Sequence, residues 1–140
     1  MLEYLDQNGT ITTIDINEEL EERVRGYFHK SGKEKQINYL IGNALELIPT
    51  LNTTFDLVFM DADKLNYPAY FDLIIDNVAS GGFIIADNVL WSGKVVEPKT
   101  AKKDKDLEAI LEFNAKVHSD SRVFNVLFPI RDGLMVLRKK

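Results

Sequence analysis

Hydrophobic and polar positions alternate between two periods along this chain, and the switch between them predicts an order of strands and helices. Thr10 to Ile16 is rich in β-branched residues and reads as a strand that carries Asp15 near its end. Asn17 then offers a helix N-cap, Glu18 and Glu19 suit the positive end of a helix dipole, and Leu20, Val24, Tyr27 and Phe28 recur at helical spacing as far as Ser31-Gly32. Strand, acid and capped helix make half of a βαβ unit. A second strand over Ile37 to Ile41 and a short helix over Ala44 to Ile48, closed by Pro49, continue the pattern.

The middle of the chain is more apolar. Leu57 to Met60 is an unbroken apolar run, which predicts a strand buried on both faces, and it ends abruptly in Asp61, Asp63 and Lys64. Tyr67 to Val78 is apolar all round and predicts a helix, with Pro68 in its first turn and Ser80-Gly81-Gly82 as the turn that follows. Phe83 to Ala86 predicts another buried strand, ending in Asp87-Asn88. Lys94 to Lys105, polar and lysine-rich with Pro98 inside it, predicts a mobile loop. Asp104 caps a helix to about His118, with Leu107, Ile110, Leu111, Phe113 and Val117 on its apolar face. Arg122 to Phe128 and Leu134 to Arg138 are joined by too few residues for a parallel crossover and predict an antiparallel hairpin. At the front, Met1 to Gln7 is amphipathic and stops at Asn8-Gly9, as the end of a helix would.

Composition narrows the class. A chain of 140 residues, 45% of them hydrophobic, suits one α/β domain with a core. Its net charge of −5 argues against a broad nucleic-acid-binding face, and without cysteine it has neither a disulfide framework nor a thiolate metal site. No apolar run reaches membrane-spanning length and the N-terminus lacks a signal-peptide pattern, so the expectation is a cytoplasmic protein with no membrane partner.

The carboxyl ends of strands in open α/β sheets are where ligands sit, which directs attention to the charged strand ends. Asp61, Asp87 and Asn88 form an all-oxygen set suited to Mg2+, Mn2+ or Ca2+, or else they cap the helices that follow. Lys64 is either a general base, a charge clamp or a solvated lysine. Asp15 is placed to accept from a ribose diol or to cap a helix, and Trp91 is a pocket wall or core. His29 and His118 lie in different helices without metal-ligand spacing. A phosphorelay receiver would need an acidic pair at an early strand end and a lysine ending a later strand; Asp15 has no acidic neighbour and Phe83 to Ala86 leads to Asp87-Asn88.

The ordered segments ITTIDIN (Ile11 to Asn17), GNALELIP (Gly42 to Pro49), FDLVFMDADKLNY (Phe55 to Tyr67), GGFIIADNVLWSG (Gly81 to Gly93) and PIRDGLMVLRK (Pro129 to Lys139) resemble the cation-dependent O-methyltransferases, which include the catechol and caffeoyl-coenzyme A enzymes and bacterial relatives. The resemblance implies a Rossmann-like, doubly wound, mostly parallel sheet with a C-terminal antiparallel hairpin. It implies S-adenosylmethionine as cofactor, with Asp15 on the ribose, Asn43 and Ala44 at the adenine, and Asp61 and Asp63 beside the cofactor. An aspartate is more usual in the family than Asn43. It also implies Mg2+ (or Mn2+ or Ca2+) on Asp61, Asp87 and Asn88, and Lys64 and Asp61 as catalytic residues. The substrate class would be a hydroxylated, catechol-like small molecule, or a hydroxylated tRNA base as in some bacterial relatives; a non-catalytic, self-associating remnant of the fold is the alternative. The family's N-terminal helices, first strand and glycine-containing loop would precede Met1. Without that strand, those matching Thr10 to Ile16 and Phe55 to Met60 would pair directly, leave a gap or recruit a second chain, and a homodimer is expected.

Overall fold

The computed structural model describes residues 5–97 and 104–140. The chain divides into two compact units, Met1–Leu51 and Asn52–Lys140, and each carries its own sheet.

In the first unit, β1 (Ile11–Asp15) and β2 (Ile37–Ile41) pair in parallel, with Asp15 opposite Ile41, so that both strands deliver their carboxyl ends to one edge. Asn17 accepts from the Glu19 amide and opens a 3-10 turn (Glu18–Leu20) leading into α1 (Glu21–Ser31). Gly32 ends α1 in the left-handed region at φ 67, where a residue without Cβ is unstrained. The Phe28 ring packs edge-on against Tyr39 of β2, with centroids 5.5 Å apart. No α1 residue is fully buried, and Tyr27 of the expected apolar face is exposed. After β2, Gly42 donates to the Asp15 carbonyl at 2.9 Å, and Asn43 caps α2 (Ala44–Leu47) by accepting from the Leu45 amide at 3.0 Å. The helical reading of Met1 to Gln7 falls partly on residues 1–4, outside the described residues.

The second unit holds a four-stranded sheet in the order β3-β4-β6-β5, made of Phe55–Met60 (β3), Val78–Asp87 (β4), Val123–Phe128 (β5) and Leu134–Lys139 (β6). β3 and β4 are parallel, while β6 runs antiparallel to both β4 and β5, as the short hairpin link requires. Between β3 and β4 come α3 (Tyr67–Ile74) and short 3-10 turns on either side of it; α4 (Lys105–Ser119) precedes β5. Tyr67 and Phe71 of α3 meet Phe113 of α4 edge-on at 5.4 and 6.4 Å, and these rings with Ile84 and Leu137 form the fully buried core.

Four expectations change. β3 is not buried on both faces: Leu57 is 44% and Phe59 50% exposed, because among the described residues no element of this unit covers the sheet face they share. Register puts these two on the sheet face that also carries Phe83, Phe124 and Val126, all exposed; the other face is the one that holds the core residues Ile84, Ala86, Met135 and Leu137. Ser80-Gly81-Gly82 is not a turn before the strand but a bulge within it: Phe55 pairs with Val78 and Leu57 with Phe83, so Ala79 to Gly82 stand opposite Asp56 alone. A Cβ at Gly82 would come within 3.0 Å of the Asp56 carbonyl, which is why the bulge takes glycine there. Leu111 lies at the edge of the α4 apolar face, 37% exposed. Finally, the stretch expected to be mobile begins as a 3-10 segment over Trp91–Val96; residues 98–103 of that expected loop lie outside the described residues.

Candidate active site

Three strand ends collect the residues with chemistry, one in the first unit and two in the second. In the first unit the Asp15 carboxylate closes β1. One of its oxygens accepts from the Asn17 amide at 2.9 Å and the other from the Tyr39 hydroxyl at 3.5 Å; burial, and then this carboxylate, push the Tyr39 hydroxyl above its ordinary pKa. Asp15 therefore braces the turn into the helix, and its oxygens keep further lone pairs at the sheet's carboxyl edge. Beside it, Gly42 has φ 147, and a Cβ there would press within 3.2 Å of Leu47. The amide oxygen of Asn43 accepts from the Leu45 amide, which leaves its NH2 donor and one remaining lone pair of that oxygen for a ligand. Ala44 is the first residue of α2.

In the second unit, Met60 pairs with Ala86 as the last pair between β3 and β4, so Asp61 follows one strand end and Asp87 closes the other. The two strand ends are also tied by a side chain. The Tyr67 hydroxyl lies 3.0 Å from the Met60 carbonyl and 3.0 Å from the Asp87 carbonyl, and having one proton it donates to either or is shared by both. Its oxygen accepts from the Lys64 ammonium at 2.5 Å. Tyr67 is fully buried; that burial and the Asp61 and Asp87 charges push its hydroxyl well above the ordinary tyrosine range.

Lys64 is buried, which removes the solvated-lysine reading. Its ammonium also reaches Asp61 Oδ1 at 3.3 Å and lies 4.5 Å from the centre of the Tyr67 ring. A lysine buried against an aromatic face with two hydrogen-bond acceptors is held to one position, the usual condition for an ammonium out of water.

Asp63 is exposed, yet both of its oxygens are engaged. Its oxygens accept from the Tyr70 hydroxyl and the Asn66 amide, each at 2.6 Å, which fixes the turn carrying Lys64. Burial and this carboxylate push the Tyr70 hydroxyl up to about 12.

Asp87 and Asn88 open into a cavity of about 350 Å3 lined also by Phe59, Ile130, Arg131, Asp132 and Leu134. Asn88 has φ 61, a conformation asparagine tolerates, and its amide donates to Asp87 Oδ1 at 2.7 Å. The loop after β4 is tied to the hairpin turn: the Val89 and Leu90 amides donate to the Gly133 and Asp132 carbonyls at 3.2 and 2.9 Å, and the Ser92 amide donates to the Asp132 carboxylate. A Cβ at Gly133 would lie 2.5 Å from Leu90 Cγ, so only glycine lets the hairpin turn and the loop after β4 close on each other. Trp91 is neither plain core nor cavity wall; its indole donates to Asp104 at 3.2 Å and tethers that loop to the start of α4.

Among the described residues no group of three or more His, Cys, Asp or Glu side chains forms a metal cluster. The set expected here has two carboxylates, with an amide as third donor. It suits a hard cation that keeps several water ligands, because all its donors are oxygens and Asp87 and Asn88 share a cavity wall. No helix among the described residues is long and apolar enough to cross a membrane.

Sequence reasoning missed Tyr67, Phe59, Arg131 and Asp132. All four lay inside segments that carried the family resemblance, but nothing local to them showed that Tyr67 is buried at the strand ends or that the other three face a cavity.

Known proteins resemble this chain along nearly its whole length. The O-methyltransferase family profile matches residues 1–140. Caffeoyl-CoA O-methyltransferase 2 of Eucalyptus globulus is 36% identical, over 96% of this chain and 59% of its own length. Caffeoyl-CoA O-methyltransferase 1 of Arabidopsis thaliana is 33% identical, over 96% of this chain and 56% of its own length. The chain thus spans somewhat under two thirds of these curated relatives. Among solved structures, the SAH-bound methyltransferase of Podospora anserina is 28% identical with a TM-score of 0.85, over 96% of this chain and 62% of that one. The O-methyltransferase from Bacillus cereus in complex with SAH, 24% identical over 97% of this chain and 65% of its own, has a TM-score of 0.88 and supports the fold.

Proposed function

This chain belongs to the O-methyltransferase family, and from that premise we propose that it moves the methyl group of S-adenosylmethionine to a hydroxyl of a catechol-like small molecule with the help of a divalent cation. The observation that carries the reading is the buried Lys64–Tyr67 pair between Asp61 and Asp87, at the ends of two parallel strands, next to a cavity that opens on Asp87 and Asn88.

Methyl transfer from a sulfonium to a phenolate is an in-line displacement in which opposite charges neutralise each other, so most of the work is alignment and provision of the oxyanion. A cation such as Mg2+ held by Asp61, Asp87 and Asn88 would supply Lewis acidity toward two vicinal oxygens. The protein's own residues do the rest. Phe59, Ile130 and Leu134 give the cavity apolar walls for a ring. Lys64 donates two of its three ammonium protons to Tyr67 and Asp61, and the third is free for a phenolate oxygen; this favours the charge clamp over the general base. Tyr67 sets the spacing of the strand ends on which Asp61 and Asp87 sit. In the first unit, Asp15 would accept from the ribose hydroxyls, and the Asn43 NH2 would donate to an adenine ring nitrogen, with Ala44 beside it. Asp63 acts through the turn it holds.

The test is methyl transfer by the full chain. With S-adenosylmethionine, 3,4-dihydroxybenzyl alcohol and Mg2+, mass spectrometry should find a singly methylated product that disappears on chelation. No product under any metal would overturn the reading.

A further inference from the structure

Among the described residues, the wall of the cavity that opens on Asp87 and Asn88 carries one cation, and the chain holds it there against a backbone preference. Arg131, in the hairpin turn between β5 and β6, has φ 55. Glycine takes that conformation freely and does so two residues later, where Gly133 has φ 83. A long side chain in the left-handed region is strained, and strain of this kind is retained where the side chain has a use. Among the described residues Arg131 enters no salt bridge. The nearby acid, Asp132, directs a carboxylate oxygen at the Ser92 amide. The remaining walls are apolar or carry the oxygens of Asp87 and Asn88, and the volume, about 350 Å3, suits a single substituted ring.

We infer that Arg131 is a specificity-determining residue that selects hydroxylated aromatic substrates bearing a carboxylate. The ring lies against Phe59, Ile130 and Leu134 with its hydroxyls toward Asp87 and Asn88, and the guanidinium takes the carboxylate through paired N–H donors. This rests on the methyltransferase reading for the orientation of the hydroxyls, while the capture of the anion is a property of the cavity itself.

The experiment compares, by calorimetry in the presence of Mg2+, binding of 3,4-dihydroxybenzoate and of uncharged 3,4-dihydroxybenzyl alcohol to the full chain and to Arg131→Gly. The wild type should bind the benzoate about tenfold or more tightly, as a charge-assisted pair warrants. Arg131→Gly relieves the backbone and should melt no lower than the wild type, yet its preference for the benzoate over the alcohol should fall below about twofold. Arg131→Lys should restore part of the preference, since an ammonium gives charge without the paired geometry. Equal binding by the wild type, a preference that survives in Arg131→Gly, or no binding of either compound would overturn the inference. Should Arg131 govern benzoate binding while no methyl group is transferred to either ring, the methyltransferase reading fails and the role of Arg131 stands; transfer to both rings without preference upholds the methyltransferase reading and overturns the role of Arg131.

Discussion

Replacing Tyr67 by phenylalanine removes one oxygen atom from the centre of the site and leaves the packed ring in place. That oxygen donates to the Met60 or Asp87 carbonyl and accepts from Lys64. A neutral hydrogen bond contributes about 0.5–1.5 kcal/mol net and one to a charged group about 1.5–3 kcal/mol, so the loss lies between roughly 2 and 4.5 kcal/mol. Lys64 can still lean on Asp61, its second acceptor at 3.3 Å, which favours the lower half of that range, about 2–3 kcal/mol. At about 4 °C per kcal/mol for a chain of this size, the thermal midpoint should fall by roughly 8–12 °C. The functional effect should be distinct. Freed from their tie, the ends of β3 and β4 hold Asp61 and Asp87 at a less definite spacing, and outer-shell changes of this kind typically cost about 10–100-fold in metal affinity. Circular dichroism melting gives the first quantity, and Mn2+ titration well below the variant's midpoint gives the second. A midpoint within 2 °C of wild type (roughly 0.5 kcal/mol), or Mn2+ affinity within about twofold, would refute the bracing role of this hydroxyl.

Other expectations follow from the same contacts. Lys64→Met keeps the stem and deletes the charge; methyl transfer should drop by roughly 10²-fold or more across pH, and a near-normal rate would exclude both the clamp and the base. Asp104 caps α4, and its hydrogen bonds to the Leu107 amide, Lys94 and Trp91 lower its pKa from 3.8 to about 2. Its stabilising contribution is therefore present above about pH 4 and lost as pH falls through about 2. The protection of the Leu107 amide, its exchange rate set against the intrinsic rate at the same pH, should fall over that window, and unchanged protection would contradict the cap. The sheet face bearing Leu57, Phe59, Phe83, Phe124 and Val126 is exposed, so we expect self-association, seen by sedimentation at micromolar concentration; a compact monomer there would defeat this expectation.

Much of this fold was legible because its signals are local. The caps at Asn17, Asn43 and Asp104, the glycine stop at Gly32 and the hairpin forced by a short link each depend on a few adjacent residues. What escaped depends on contacts the pattern does not contain. An apolar run such as Leu57 to Met60 says that burial is wanted, not that both faces of the sheet are covered, and the face bearing Leu57 and Phe59 is exposed. Ser80-Gly81-Gly82 has the chemistry of a turn whether it joins two elements or bulges from one, and only pairing with β3 decides. At the site, the carboxylates were legible as charges at strand ends. The burial of Lys64 was not, because it depends on a hydroxyl that also binds the carbonyl of Asp87, twenty residues away. Arg131 escaped for the same reason: a hairpin turn gives no local sign that a cavity lies beneath it.

The central claim is that Asp61, Asp87 and Asn88 hold a catalytic divalent cation, and Mn2+ titration of the chain followed by spin resonance tests it most directly. One site should quench the free-ion signal in the wild type. In Asp87→Ala, which deletes a carboxylate without touching the Tyr67 tie to the residue 87 backbone carbonyl, that site should be lost. Binding undiminished in Asp87→Ala, or no bound Mn2+ in the wild type, would contradict the account.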